Sequence, residues 1–221
     1  MLRSLVLHIY DIGYNHVSWA YDTVSLLGSG GLWYEWVAVA QRSVGDGPVL
    51  EVGCGRGRLL AQLAREGHTA VGLDRSQAMV RAARRQARGA DERASVVQGD
   101  ALTLPLDDAT IGTLITTFPA PYVGLYATQA EFARVLRPGG RWVWVDAPFA
   151  RTPTLRMAPL AVISYVARIN GSLRTGFGLQ PRQPLWRPLI HATLPFQVSV
   201  EQVAVGPTAV HVALVERLAS G

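Results

Sequence analysis

The apolar positions of this chain change rhythm several times, and the changes outline its elements. Short runs rich in Val, Ile and Leu fall near 48–53, 69–74, 94–98, 111–117 and 141–146, and each reads as a strand. Between them, apolar residues recur at helical spacing near 57–66, 76–88 and 128–136. Strands that alternate with helices predict an α/β fold, a parallel sheet covered on both faces. Residues 1–45 precede this rhythm and read as helical, with Tyr10, Tyr14, Trp19, Tyr21, Trp33, Tyr34 and Trp36 among them. Gly28-Ser29-Gly30-Gly31 divides them into two helices. Beyond Asp146 the alternation lapses. Residues 148–192 mix prolines and arginines with apolar side chains such as Tyr165 and Trp186, which need burial. The segment therefore reads as an insertion rather than a linker. Phe196 to Val205 and Thr208 to Arg217 are β-rich and meet at Gly206-Pro207, as a hairpin does.

The glycine spacing adds chemistry to this outline. In Val49-Leu50-Glu51-Val52-Gly53-Cys54-Gly55-Arg56-Gly57-Arg58-Leu59-Leu60 a strand runs into a glycine turn and then a helix start. Glycines let the backbone approach a ligand closely. The helix start offers free N–H groups and the positive end of its dipole to a carboxylate or phosphate. Glu51, just before the loop, would repel a second anion and is placed to meet a cation. A ligand with both an α-carboxylate and an α-ammonium suits that pair better than a pyrophosphate. The nicotinamide fingerprint G-x-G-x-x-G also fails here, because Arg58 stands where its third glycine belongs.

This stretch resembles the first motif of the class I S-adenosyl-L-methionine (SAM) methyltransferases, and three further segments follow in that family's order. Gly72-Leu73-Asp74-Arg75-Ser76-Gln77-Ala78-Met79-Val80 is similar to its second strand ending in an acid. Gln98-Gly99-Asp100-Ala101-Leu102-Thr103-Leu104-Pro105-Leu106 is similar to its adenine-contacting loop. Leu136-Arg137-Pro138-Gly139-Gly140-Arg141-Trp142-Val143-Trp144-Val145 is similar to its turn into the fifth strand. The four together cover roughly residues 48–147 and most resemble the ubiquinone/menaquinone-type and lipid or small-molecule methyltransferases. The resemblance implies a Rossmann-like seven-stranded sheet with helices on both faces and an antiparallel last strand. It implies one domain: a helical cap over 1–45, a SAM-binding core over 46–147, an insertion or lid over 148–192 and a C-terminal hairpin over 193–221.

It also implies site residues. SAM would lie against Glu51, Gly53, Cys54, Gly55 and Gly57, with Asp74 accepting from both ribose hydroxyls and Arg75 beside it. Asp100 would take the adenine amino proton, and the Ala101 N–H would serve the ring. Met79 would pack on the adenine or simply in the core. Thr117 ends the fourth strand, where the reacting methyl emerges. Tyr10 would close over the sulfonium as a cation–π partner, and Tyr14 shares its face if both are helical; both could equally be ordinary packing aromatics. Tyr14, His16 and Asp146 are the candidate catalytic groups, with His191 a further candidate base. No H-x-x-x-H spacing is present, so no metal is expected.

Composition narrows the setting. At 221 residues the chain is about one domain, and Cys54 is its only cysteine, which suits a reducing cytoplasm. All 21 basic residues are arginine, as a GC-rich genome would give. The net charge of +5 admits an anionic partner. The arginines are scattered, however, except for Arg81, Arg84, Arg85 and Arg88, which form a solvated helix face. No signal-peptide pattern opens the chain, and no apolar run nears the ~20 residues needed to span a bilayer. The expected acceptor is a hydrophobic small molecule or lipid. A membrane-surface phospholipid headgroup N-methyltransferase is the alternative, peripheral membrane contact and a homo-oligomer being compatible with either. A nucleic-acid methyltransferase is disfavoured, because Phe118 and Ala120 interrupt the [D/N]-P-P-Y pattern after the fourth strand. A non-catalytic SAM-binding module is disfavoured by the intact acids.

Overall fold

The computed structural model describes residues 25–151 and 186–219. Seven strands form one sheet: β1 Val49–Val52, β2 Ala70–Asp74, β3 Ala94–Gln98, β4 Ile111–Thr117, β5 Leu136–Ala150, β6 Phe196–Val205 and β7 Thr208–Arg217. Their order is β3-β2-β1-β4-β5-β7-β6. The first five are parallel, and β7 runs antiparallel to both β5 and β6. The helices are α1 Trp33–Ala38, α2 Arg58–Arg65, α3 Gln77–Arg88 and α4 Tyr126–Val135, with 3-10 turns at Val39–Ser43 and Pro121–Gly124.

Strands buried on both faces explain the continuous apolar runs. On one face Trp36, Leu59, Leu60, Leu63 and Val80 pack against Val49, Ile115, Val143, Val145 and Val212. On the other, Phe132, Val135 and Trp186 pack against Leu50, Val52, Leu114, Trp142, Trp144 and Val215. The tryptophans of β5 alternate with its valines, as the pleat requires. Trp142 and Trp144 stack at 5.1 Å, and Trp186 meets Trp144 edge-on at 5.0 Å. Trp36 is buried on the opposite face, where its indole N–H donates to Thr208 Oγ1 at 2.8 Å.

Two elements differ from the sequence reading by more than one residue at an end. The fifth strand spans residues 136–150, not only 141–146: Leu136 already pairs with Ile111 of β4 across a register shift, and β7 stays beside the strand after β4 has ended. A register shift between Asp146 and Phe149 absorbs the change of partner. Helix α4 starts at Tyr126 rather than 128. The hairpin at Gly206-Pro207 forms as expected, with Val205 paired to Thr208 and Gly206 at φ 53°.

Consecutive strands run outward from β1 in both directions, so β1 and β4 flank a topological switch point. Open α/β sheets bind ligands at the carboxyl ends of such strands. The chain around residues 151 and 189–191 is fastened near this edge. Arg151 N–H donates to Pro207 O at 2.9 Å. Buried Gln129 on α4 donates to Leu189 O at 2.6 Å and Val123 O at 3.0 Å, and accepts from His191 N–H at 3.0 Å. No helix among the described residues is long and apolar enough to cross a membrane.

Candidate cofactor and acceptor site

The loop after β1 has little freedom. Gly53 and Cys54 N–H both donate to Leu73 O, at 2.8 and 3.0 Å, which ties the turn to the end of β2. Gly53, Gly55 and Gly57 have φ of 76°, 53° and 76°, a region that L side chains avoid. A Cβ on Gly57 would sit 2.9 Å from that of Ala83, so this glycine lets α2 and α3 approach. A Cβ on Gly55 would meet no described atom within 4 Å, so this residue faces open space. The N–H groups of the first turn of α2 lie just behind it.

Two carboxylates lie beneath this opening. Asp74 accepts from Gly55 N–H at 2.9 Å and Ser76 N–H at 2.8 Å. Burial raises its pKa, against the pull of those same amides. Glu51 is only 4% exposed, and its Oε2 has no hydrogen-bond partner among the described residues. Burial pushes it up to about 8, with the Leu60 amide opposing and the Asp74 charge adding. A buried, unpartnered carboxylate oxygen is costly unless a donor arrives. An ammonium group entering the loop would supply one. The site therefore fits an amino-acid-bearing nucleoside. Cys54 is buried under the loop, and burial raises its thiol pKa further, so it acts as packing. On the rim, Asp100 caps its own turn by accepting from Leu102 N–H at 3.0 Å, and Arg75 Nε stands 3.8 Å from its other oxygen.

The ends of β4 and β5 are built differently. Phe118, just past β4, has φ 46°, and its ring packs 4.6 Å from Trp33 and 6.0 Å from Trp36. This docks α1 on the crevice, and Arg58 lies 3.7 Å from the Tyr34 ring centroid to fix the same helix to α2. The hydroxyl of Tyr122 lies 3.2 Å from where a Gly53 Cβ would be, so the turn after β4 covers the glycine loop. In β5, just before its register shift, Asp146 accepts from the Trp144 indole at 3.1 Å and from Ala147 N–H at 2.7 Å. Burial raises it to about 6.

Comparison with known proteins agrees with this geometry. The family profile described as a methyltransferase domain matches residues 49–140. A demethylmenaquinone methyltransferase from Roseiflexus castenholzii is 31% identical over 182 residues, 79% of this chain and 74% of that protein. The chain belongs to the class I SAM-dependent methyltransferases. Another demethylmenaquinone methyltransferase, from Clavibacter sepedonicus, is 32% identical over 65% of this chain, and the match spans only 60% of that relative's length. The geranyl diphosphate C-methyltransferase of Streptomyces coelicolor A3(2) shares the fold, with a TM-score of 0.60 at 16% identity over 85% of this chain and 78% of that one.

The methyltransferase sequence thus places Glu51, Gly53, Cys54, Gly55, Gly57, Asp74, Arg75, Asp100, Ala101 and Thr117 along one edge of the sheet, at or just beyond the carboxyl ends of β1 to β4. Ser76 caps α3 as its position suggests, accepting from Met79 N–H at 3.4 Å. Met79 itself is buried in the fold, which favours its reading as core. His191 is engaged by the Gly124 carbonyl at 3.1 Å and the Tyr126 ring, as a brace. Tyr10, Tyr14 and His16 lie outside the described residues, as does the insertion from 152 to 185. The sequence reading missed Tyr122 and His211. Pro121 after a strand hints at a turn that could carry Tyr122 over the loop, whereas nothing near His211 in sequence marks it.

Proposed function

We propose that this methyltransferase acts on a hydrophobic small molecule or lipid of quinol type, with Asp146 accepting the proton of its hydroxyl. The observation that carries the cofactor half is the buried, unpartnered oxygen of Glu51 below the open face of Gly55. Bound SAM supplies a methyl on a sulfonium, an electrophile that needs positioning more than acid catalysis. Glu51 would hold the ammonium, the N–H groups of the first turn of α2 would meet the carboxylate, and Asp74 and Asp100 would orient the nucleoside. The aromatic pair Trp33 and Phe118, half-buried just past the end of β4, supports the acceptor class. They exclude water and favour a flat apolar body. The names of the relatives, which act on demethylmenaquinone, point the same way. With Asp146 at about 6, its carboxylate is ionised at neutral pH and close enough in basicity to take a proton from an acidic hydroxyl. The insertion over 148–192 serves as the lid that selects the acceptor.

Calorimetry with S-adenosylhomocysteine and with NADH tests the cofactor reading, and binding of NADH alone would overturn it. Turnover of reduced demethylmenaquinone, set against a phospholipid and a water-soluble catechol, tests the acceptor. A membrane-surface reading draws on one observation. Leu125, Tyr126 and Leu189 are exposed together at the start of α4, beside exposed Arg187. Flotation with anionic vesicles tests it.

A further inference from the structure

Asp146 is the direct cross-strand partner of His211 on β7, and the two strands slip register just beyond this pair. Ala147 lies in the slip with φ 48°, a left-handed conformation taken without glycine. Both its polar groups are engaged. Its N–H donates to Asp146 Oδ1 at 2.7 Å, and its carbonyl lies 2.9 Å from His211 Nδ1. A carbonyl only accepts, so Nδ1 carries the ring proton. Nε2 is then an acceptor, and the Gln202 amide donates to it at 3.1 Å. Burial pushes the pKa of His211 down, which keeps the ring neutral in this tautomer. Phe149 and Trp186 flank the ring at 5.1 and 6.2 Å. One line of hydrogen bonds thus runs from Gln202 on the edge strand, through His211 and Ala147, to the carboxylate.

An aliphatic residue would fill the position of His211 as well as an imidazole if packing were its whole purpose. It could not hold the Ala147 carbonyl. Without that hold a non-glycine residue in this region tends to leave it, and its N–H would swing away from Asp146. We infer that His211 is a positioning residue for methyl transfer, which holds the left-handed turn at Ala147 and so aims the Asp146 carboxylate at the acceptor. This rests on the reading of Asp146 as proton acceptor. The groups around the pair are Trp144 and Phe149 from β5, Gln202 from β6 and Trp186. All are uncharged, so among the described contacts of the pair Asp146 and His211 themselves are the titratable groups.

Isotope-labelled full-length protein tests this by NMR. In the wild type the Ala147 amide proton shift should follow the titration of the Asp146 carboxyl carbon, and His211 should show the neutral Nδ1–H tautomer. In His211→Leu the pH-dependent excursion of the Ala147 amide should fall by about half or more, since its partner oxygen is no longer held. His211→Asn places an amide donor where Nδ1–H lay and should restore the excursion. Ala147→Gly combined with His211→Leu should restore it too, because glycine takes that φ unaided. A wild-type excursion in His211→Leu, or an Nε2–H tautomer in the wild type, overturns the inference. Should His211→Leu fail to fold, the tautomer, the Asn variant and the double variant decide the matter. S-adenosylhomocysteine affinity, measured in parallel, should be the same in every folded variant. A wild type that does not bind it sinks the cofactor reading and leaves the NMR comparison standing.

Discussion

The two halves of the crevice turn the chain in the same way with different residues. Past the end of β1 the left-handed positions are Gly53, Gly55 and Gly57, whereas past β4 and at the register shift within β5 they are Phe118 and Ala147. Glycine takes that conformation at little steric cost, but any other residue costs about 1–2 kcal/mol there. The half proposed for the cofactor is accordingly held by groups at the ends of adjoining elements: the Leu73 carbonyl, the Asp74 carboxylate and the first turn of α2. The acceptor half is held by side chains far away in sequence, Trp33 and Trp36 on Phe118, and His211 on Ala147. A ligand common to a whole family can be met by a locally encoded cradle. An acceptor that differs between family members is met by a surface that distant substitutions can reshape.

Asp146→Asn should break the acceptor half alone. Turnover should fall by about 10²–10⁴-fold, and its rise with pH through about 6 should vanish, while S-adenosylhomocysteine affinity stays the same. A parallel loss of affinity would mean that the halves are not separable. Gly55→Val should break the other half. The new side chain meets no described protein atom, so it points into the ligand's space. Cofactor affinity should fall by about 100-fold or more, against a stability loss of about 1–2 kcal/mol from the backbone strain. Retained affinity in a calorimetric titration would show that the loop is not the cradle.

Glu51→Gln separates stability from binding within the cofactor half. Glu51 rises from 4.5 to about 8 on folding. Its contribution to stability is therefore full below about pH 4.5 and is lost as pH climbs through about 8. A neutral amide escapes that loss, so the ligand-free variant should melt higher than wild type at pH 9 and about equally at pH 4. Its cofactor affinity should drop by about 10–100-fold, the worth of one charged hydrogen bond. A variant that gained neither thermal stability at high pH nor lost affinity would contradict the burial of an uncompensated carboxylate. The smallest effect belongs to Ala147→Gly, which should add about 0.5–1 kcal/mol of stability in urea melts by relieving the turn.

What was legible in the sequence follows the same division. The glycine spacing, Asp74 one strand later, the Ser76 cap and the Gly206-Pro207 hairpin are short-range signals, because each is fixed by residues only a few positions apart or by a single strand-to-strand step. Both extensions of β5 were hidden: Pro138, Gly139 and Gly140 break the apolar pattern at its start, where Leu136 pairs with Ile111, and only the pairing with β7 reveals its end. Tyr122 over Gly53 and His211 beside Asp146 depend on loop paths and on a slipped register, neither of which leaves a periodic trace in sequence. The aromatic content of the first 45 residues was visible, but the contact of Trp33 with Phe118 across the sheet edge was not.

The fastenings at Arg151 and Gln129 have a consequence for how this enzyme could diversify. The chain leaves the sheet through a backbone hydrogen bond to Pro207, and at residues 189–191 it is held through two hydrogen bonds of one buried amide. The anchors at 151 and 189 do not depend on the side chains there, because the bonds are made by main-chain atoms, whereas the His191 ring adds a contact to Gly124 O. Lengthening the stretch between them adds only slowly growing loop-closure entropy, about 0.6 kcal/mol per doubling. The two anchors therefore act as a socket. Replacement of the stretch inside them should therefore leave the order and register of the sheet intact, provided that Trp186, which packs on Trp144 and His211, is kept.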